Sequence, residues 1–124
     1  MILKLLLICI ILCSCTATRL TETDLYFGQS KPGGGMVSES EWKNFKENHI
    51  ARVFKEGSTI IDGTGSWHDP TTRKLISEPV YVVIYFYKKS KQKSLEIDSL
   101  RNWYKNTFRQ QSILRVDKKV KAEF

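Results

Sequence analysis

Val80-Tyr81-Val82-Val83-Ile84-Tyr85-Phe86-Tyr87 is the most strongly strand-forming stretch of the chain. Every residue in it is β-branched or aromatic, the classes that suit a pleated, packed surface. Neither alternating set is polar, which is the pattern of a central strand rather than an edge. Glu78-Pro79 leads into it, and the turn Asp69-Pro70-Thr71-Thr72 joins it to residues 58–67, a second strand loosened by Gly63 and Gly65.

Downstream, residues 88–93 read as a solvated, lysine-rich loop. Ser94 is the expected cap of a helix whose inner stripe is Ile97, Leu100, Tyr104 and Phe108. Residues 113–124 close the chain as a strand, with Lys118, Lys119 and Lys121 suited to a sheet edge. Upstream, Ser38 opens another helix. It stands three residues before Glu41 in a capping box, with Val37 and Trp42 at the staple positions. Trp42, Phe45, His49 and Val53, joined by Ile50 and Phe54, follow at helical spacing, and Gly57 ends the helix region. Residues 22–29 alternate as a strand with Leu25 and Phe27 on one face and Tyr26 and Gly28 on the other, before Lys31-Pro32-Gly33-Gly34-Gly35 breaks it.

The resulting order, βαββαβ, predicts an α+β, ferredoxin-like sandwich. Its antiparallel sheet carries the first and third strands in the middle and both helices on one face. The chain has 124 residues, a formal net charge of +7, 41% hydrophobic and 27% charged residues. That is room for one domain, and the composition excludes a disordered tail. Barrels of the (β/α)8 kind and full dinucleotide-binding folds are too large for it.

Met1-Ile2-Leu3-Lys4-Leu5-Leu6-Leu7-Ile8-Cys9-Ile10-Ile11-Leu12-Cys13-Ser14-Cys15 places one early cation before an apolar run. The run is shorter than the ~20 residues a membrane span needs. It suits a secretory signal peptide. Leu12-Cys13-Ser14-Cys15 resembles a bacterial lipobox, whose Cys takes the acyl chains and becomes the new N-terminus. The rival cleavage is after Ala17, at Cys15-Thr16-Ala17. The expected organisation is a lipoprotein signal peptide at 1–14, a lipidated tether at 15–21 and a single domain at 22–124. Several acyl chains on Cys15 exceed the two-signal threshold for stable membrane anchoring. Thr16 is not the Asp that retains many lipoproteins at the inner membrane, so the expected place is the periplasmic side of the outer membrane in a two-membrane bacterium. The three Cys stand at 9, 13 and 15, which leaves the domain without a disulfide, thiol nucleophile or thiolate metal site.

Five groups of residues carry a family resemblance: Leu25-Tyr26-Phe27-Gly28-x-Ser30; Val37-Ser38-Glu39-x-Glu41-Trp42-x-x-Phe45; Gly57-x-Thr59-x-x-Asp62-x-x-Gly65-x-Trp67; Ile76-x-Glu78-Pro79; and Gln111-Ser112-x-Leu114-Arg115-Val116. Together they resemble the domain of unknown function 3574, whose members are short exported bacterial proteins, often lipoproteins. The resemblance implies no activity.

With Val82, Ile84 and Phe86 taken to face the helices, Tyr81, Val83, Tyr85 and Tyr87 line the open face. Tyr26, Asp62 and Arg115 join them there. This candidate binding face could pair with a second copy, take a small ligand between Tyr hydroxyls and Arg115, or be an ordinary half-exposed sheet. A base-stacking reading fails because residues 81–88 lack the Gly-aromatic core of RNA-recognition domains and export removes the protein from RNA. No nucleic-acid partner is therefore expected. The lysines at 88, 89, 91 and 93 read as a solubilising loop, or as a site for anionic lipid or polysaccharide near the anchor. The three consecutive glycines read as a permissive turn rather than an anion cradle, because the Gly-Lys-Ser/Thr of a phosphate loop is missing. His68 with Asp62 or Glu78 is the one conceivable acid–base group for a small-molecule enzyme. His49 reads as a partly buried core residue, and two His without a carboxylate pair predict neither metal nor cofactor. The expected role is non-catalytic binding at the cell envelope through the open face, with a homodimer, an envelope protein or a small ligand as the partner.

Overall fold

A computed structural model describes residues 17–124. The expected signal segment and the expected lipidation site at Cys15 lie outside the described residues. Strand β1 is Thr18–Gly28, β2 Thr59–His68, β3 Leu75–Tyr87 and β4 Leu114–Ala122. The sheet order is β2-β3-β1-β4, with every neighbouring pair antiparallel. The fold is the expected α+β, ferredoxin-like sandwich, with β1 and β3 central and the helices on one face.

The first helix begins at Glu39 as expected. Ser38 Oγ accepts from the Glu41 N–H (3.2 Å), and Glu41 Oε2 accepts from the Ser38 N–H (2.8 Å). An α-helical stretch, Glu39–Phe45, passes into a π-helical turn, Lys46–Ile50, and ends in Ala51–Val53. The wider turn rotates the inner stripe. Phe45, Ile50 and Phe54 are buried, while His49 and Val53 slip to the margin. The second helix is Lys91–Thr107, and Ser90 is its cap rather than Ser94, its Oγ accepting from the Lys93 N–H at 3.0 Å. The loop is therefore four residues shorter than expected, while the inner stripe of Ile97, Leu100, Tyr104 and Phe108 is buried as expected.

Two strands run longer than their sequence patterns. β1 takes in residues 18–21, assigned above to the tether, because Thr18 to Thr21 pair with Ala122 to Lys119. β3 starts at Leu75 and continues through Pro79. The Pro79 carbonyl accepts from the Gln29 N–H just past the end of β1, and the Gln29 carbonyl, which a donor at position 79 would meet, accepts from the Val37 N–H instead, so the missing donor leaves no acceptor unpaired. The core is aromatic. Phe27 meets Phe45 and Tyr104 edge-on at 5.1 and 4.8 Å, all three buried between sheet and helices.

Candidate functional site

Cross-strand partners share a face, so the pairings fix which way β3 points. Leu25 pairs with Val83 and Phe27 with Tyr81, and both β1 residues are wholly buried under the helices. Val83, Tyr85 and Tyr87 are buried there too. The facing expected from the sequence is thus reversed. Tyr81, Tyr85, Asp62 (paired with Tyr81) and Arg115 (paired with Leu25) belong to the helix side, and of the five candidate face residues only Tyr26 is on the open side. The reason is volume and hydrogen bonding. Tyrosine rings fill the layer between sheet and helices better than Val82 and Ile84, and the hydroxyls find partners at its rim.

Those partners commit the groups that could have anchored a ligand. The Tyr85 hydroxyl donates to Glu56, and burial together with that bond raises its pKa well above the ordinary phenol value. Arg115 Nη1 donates to Asp98 Oδ1 (3.0 Å) and Nε to Asp117 Oδ1 (3.1 Å), with only 11% of the side chain exposed. Thr23 Oγ1 donates to Asp117 Oδ1 at 2.5 Å and lies 3.2 Å from the Tyr87 hydroxyl. This network ties β1, β3, β4 and the second helix together and leaves no free donor on Arg115 aimed at the open face.

The open face carries other residues. Ile61 pairs with Val82, and Tyr26 pairs with both Val82 and Leu114. Ile61, Phe86 and Leu114 are 48, 44 and 56% exposed. Apolar side chains from all four strands thus stand on a face that no helix covers. A charged cluster interrupts this set, because Asp24 and Glu22 on β1 are the cross-strand partners of Ile84 and Phe86. Lys118 Nζ bonds Asp24 Oδ2 (2.8 Å) and Glu22 Oε1 (3.2 Å) across the β1–β4 ladder, while the buried Asp24 Oδ1 has no partner. Sequence reasoning missed that Val82, Ile84 and Phe86 face the open side, the first two half-buried and Phe86 exposed. The parity of Leu25 and Phe27, combined with the antiparallel register, was the signal that could have found them.

The acid–base group is not assembled. Asp62 and His68 are six residues apart on one extended strand, roughly 20 Å. Glu78 has the parity of Val80 and Val82, on the opposite side of the sheet from both. It instead lines a cleft of about 540 Å3 at the end of β1, with Ser30, Lys31, Trp67, Asp69 and Gln110. The Ser30 N–H points at Glu78 Oε2 (3.4 Å), and Gln110 Nε2 donates to the Ser30 carbonyl (2.8 Å). Gly28 makes room for this convergence: a Cβ there would stand 3.1 Å from both Glu78 Oε1 and Gln110 Oε1. Asp69 is occupied by its turn. Its Oδ1 accepts from the Thr71 and Thr72 N–H groups, and those bonds hold its carboxyl below the usual range. Trp67 and Gln110 are further residues that the sequence did not single out as site candidates.

His49 stacks on Trp103 with ring centroids 3.8 Å apart, and burial, then the nearby Arg52 charge, lowers its pKa. The glycine turn has positive φ at Gly33, Gly34 and Gly35, and its N–H and carbonyl groups close on Lys31. The capping box already occupies the helix start beside it, so the turn reading holds. Among the described residues, no group of three or more His, Cys, Asp or Glu could hold a metal ion, and no helix is long and apolar enough to cross a membrane.

The family model described as "Protein of unknown function (DUF3574)" matches residues 22–124. The chain belongs to this family. That membership covers the whole sheet except the first residues of β1, and it agrees with the resemblance carried by the motifs. No curated protein matches the DUF3574 chain. Two solved structures have a similar fold. A phage SAM lyase in complex with S-methyl-5′-thioadenosine is 12% identical, with a TM-score of 0.60 over 85% of this chain and 92% of the other. A phage SAM lyase in its apo state is 15% identical, with a TM-score of 0.53 over 84% and 90%. At such identities the likeness is one of fold.

Proposed function

We propose that this DUF3574 chain is an exported lipoprotein of the cell envelope, acylated at Cys15, whose domain is a non-catalytic interaction module. Its open sheet face pairs with the same face of a second copy. The observation that carries the pairing is the apolar set on that face, with Ile61, Phe86 and Leu114 exposed and Tyr26, Val82 and Ile84 half-buried. Four strands ~4.8 Å apart and about eight residues long at ~3.3 Å each present roughly 500 Å2 for the whole face, its Lys118–Asp24–Glu22 cluster included. Two such faces together approach the ~1,000 Å2 at which specific interfaces begin. A two-fold pair is self-complementary by construction and ends no strand ladder. Cys15 provides the membrane anchor, and Thr16 beside it favours the outer membrane.

The test is the mass of the purified mature protein by sedimentation equilibrium. The wild type should have twice the chain mass, and Phe86→Lys, at an exposed position, should have the mass of one chain. A wild type that stays monomeric at about 100 μM would refute the pairing. Labelling cells with a fatty acid should mark the wild type and leave Cys15→Ala unmarked. Label retained by that variant would remove the anchor.

A second reading, a small-molecule enzyme, is favoured by the Glu78 cleft and by the phage SAM lyase neighbour, described with S-methyl-5′-thioadenosine bound. Neither His68 nor Asp62 lines that cleft, so Glu78 alone of the expected acid–base groups remains to serve it. Calorimetric titration with S-methyl-5′-thioadenosine separates the readings. Saturable binding lost in Glu78→Gln supports the second, and no heat supports the first.

A further inference from the structure

The positive charge of the chain is concentrated at one end of the fold. β1 starts, β3 and β4 finish, and the second helix starts at that end, because Thr18 pairs with Ala122 and Thr21 with Tyr87. Residues 17–22, 88–91 and 118–124 therefore come together. They hold seven basic side chains and two acidic ones, a net +5, against +7 for the whole chain. Lys118 is taken up by Asp24 and Glu22. The other six, Arg19, Lys88, Lys89, Lys91, Lys119 and Lys121, form no ion pair among the described residues.

Folding alone does not favour this arrangement. The first helix has Glu39 and Glu41 in its first turn, where the macrodipole favours anions. The second helix has no acidic residue in its first turn and begins with Lys91, a cation at the positive end of the dipole. Between the strand ends lies a groove of about 530 Å3 lined by Arg19, Leu20, Thr21, Lys89, Lys119, Val120 and Lys121. Its cationic rim and aliphatic walls suit a ligand that is anionic at the head and apolar behind. Cys15 precedes Thr18 by three residues, a reach of at most ~11 Å. If Cys15 is acylated, as proposed above, this is the end held against the bilayer.

We infer that this groove and its rim bind the phosphate headgroups of anionic phospholipids, and that the basic end of the domain rests on the membrane surface. The inference rests on the anchored reading for its geometry, but the two are measured separately. Full chain exported and purified in detergent is incorporated with phosphatidylcholine vesicles, or with vesicles containing about a third phosphatidylglycerol, and binding is read by flotation at low and high salt. Binding to neutral vesicles that resists high salt, with an acyl mass on Cys15, reads the anchor. Partition towards the phosphatidylglycerol vesicles when both kinds are offered together, a preference that high salt removes, reads the basic end. The variant Arg19→Gln/Lys89→Gln/Lys119→Gln/Lys121→Gln should lose at least about a hundredfold of the salt-sensitive part, each cation near such a surface contributing about fivefold. The control Arg73→Gln/Lys74→Gln/Lys105→Gln/Arg109→Gln removes the same charge elsewhere and should keep most of it. Equal losses in the two variants, or no preference for phosphatidylglycerol in the wild type, would overturn the inference. An unmodified Cys15 with the preference intact would overturn the anchor and leave the lipid site standing.

Discussion

The Trp42 indole lies almost parallel to the Tyr81 ring, centroids 4.2 Å apart and planes 13° apart. One ring comes from the first turn of the first helix and the other from the centre of β3. Their stacking puts Tyr81 on the helix side, and through the strand alternation it puts Tyr85 and Tyr87 there as well.

Removing that partner should be expensive. Trp42 is buried and also packs near Phe27 and Phe45, so Trp42→Ala should cost about 3–5 kcal/mol in urea unfolding. Phe86→Ala on the open face should cost far less in the monomer. Similar costs at the two positions would contradict the facing of β3.

Arg115 is held by two carboxylates rather than offered to a ligand. Arg115→Met should cost about 2 kcal/mol, less than the ~3–5 of a fully buried pair, because Asp98 and Asp117 stay 44 and 40% exposed. Arg115→Lys should recover little, since one ammonium cannot reach both partners as Nε and Nη1 do. A neutral Arg115→Met would show that the network contributes nothing.

Arg109 closes the second helix in the left-handed region, with φ of 53°, and the Gln110 N–H bonds back to the Lys105 carbonyl at 2.9 Å. Glycine is the residue that conformation prefers. Arg109→Gly should therefore stabilise the domain by about 0.5 kcal/mol, the gain being limited by glycine's added chain entropy. Thermal unfolding measures it, and a lowered midpoint would refute the assignment.

Acid should destabilise the fold through its carboxylates. Lys31 and the Ser38 N–H hold Glu41 below its ordinary range. Burial pushes Asp117 up, but bonds from Thr23 and Arg115 outweigh it and leave the carboxyl lowered. A carboxyl depressed in the folded state stabilises fully above its unfolded value, about 4, and loses that contribution as pH falls further. His49, also lowered, favours the folded state while neutral and adds a shallower loss below about pH 6.5. Urea midpoints measured from pH 7 to 3 should fall in these two stages, and Asp117→Asn should flatten the lower one. A profile unchanged by Asp117→Asn would show that its bonds do not favour the ionised form.

By itself the sequence determined the element order, the capping box at Ser38 and Glu41, the central place of β1 and β3, and the edge place of β4. These follow from local chemistry: caps, turn residues and periodicity act within a few residues. The sequence also marked Glu78, but not the cleft around it, because Gly28, Trp67 and Gln110 reach that cleft from separate segments. Only the tertiary structure decided which way β3 faces. Both faces of β3 are apolar, so alternation alone could not choose between them, and a slip of one residue exchanges every side chain. The antiparallel register to Leu25 and Phe27 made the choice, and it buried the tyrosines and turned Val82, Ile84 and Phe86 outward. The gathering of Arg19, Lys89, Lys119 and Lys121 at one end was decided in the same way, because strand pairing brings together charges that lie up to about a hundred residues apart in the chain.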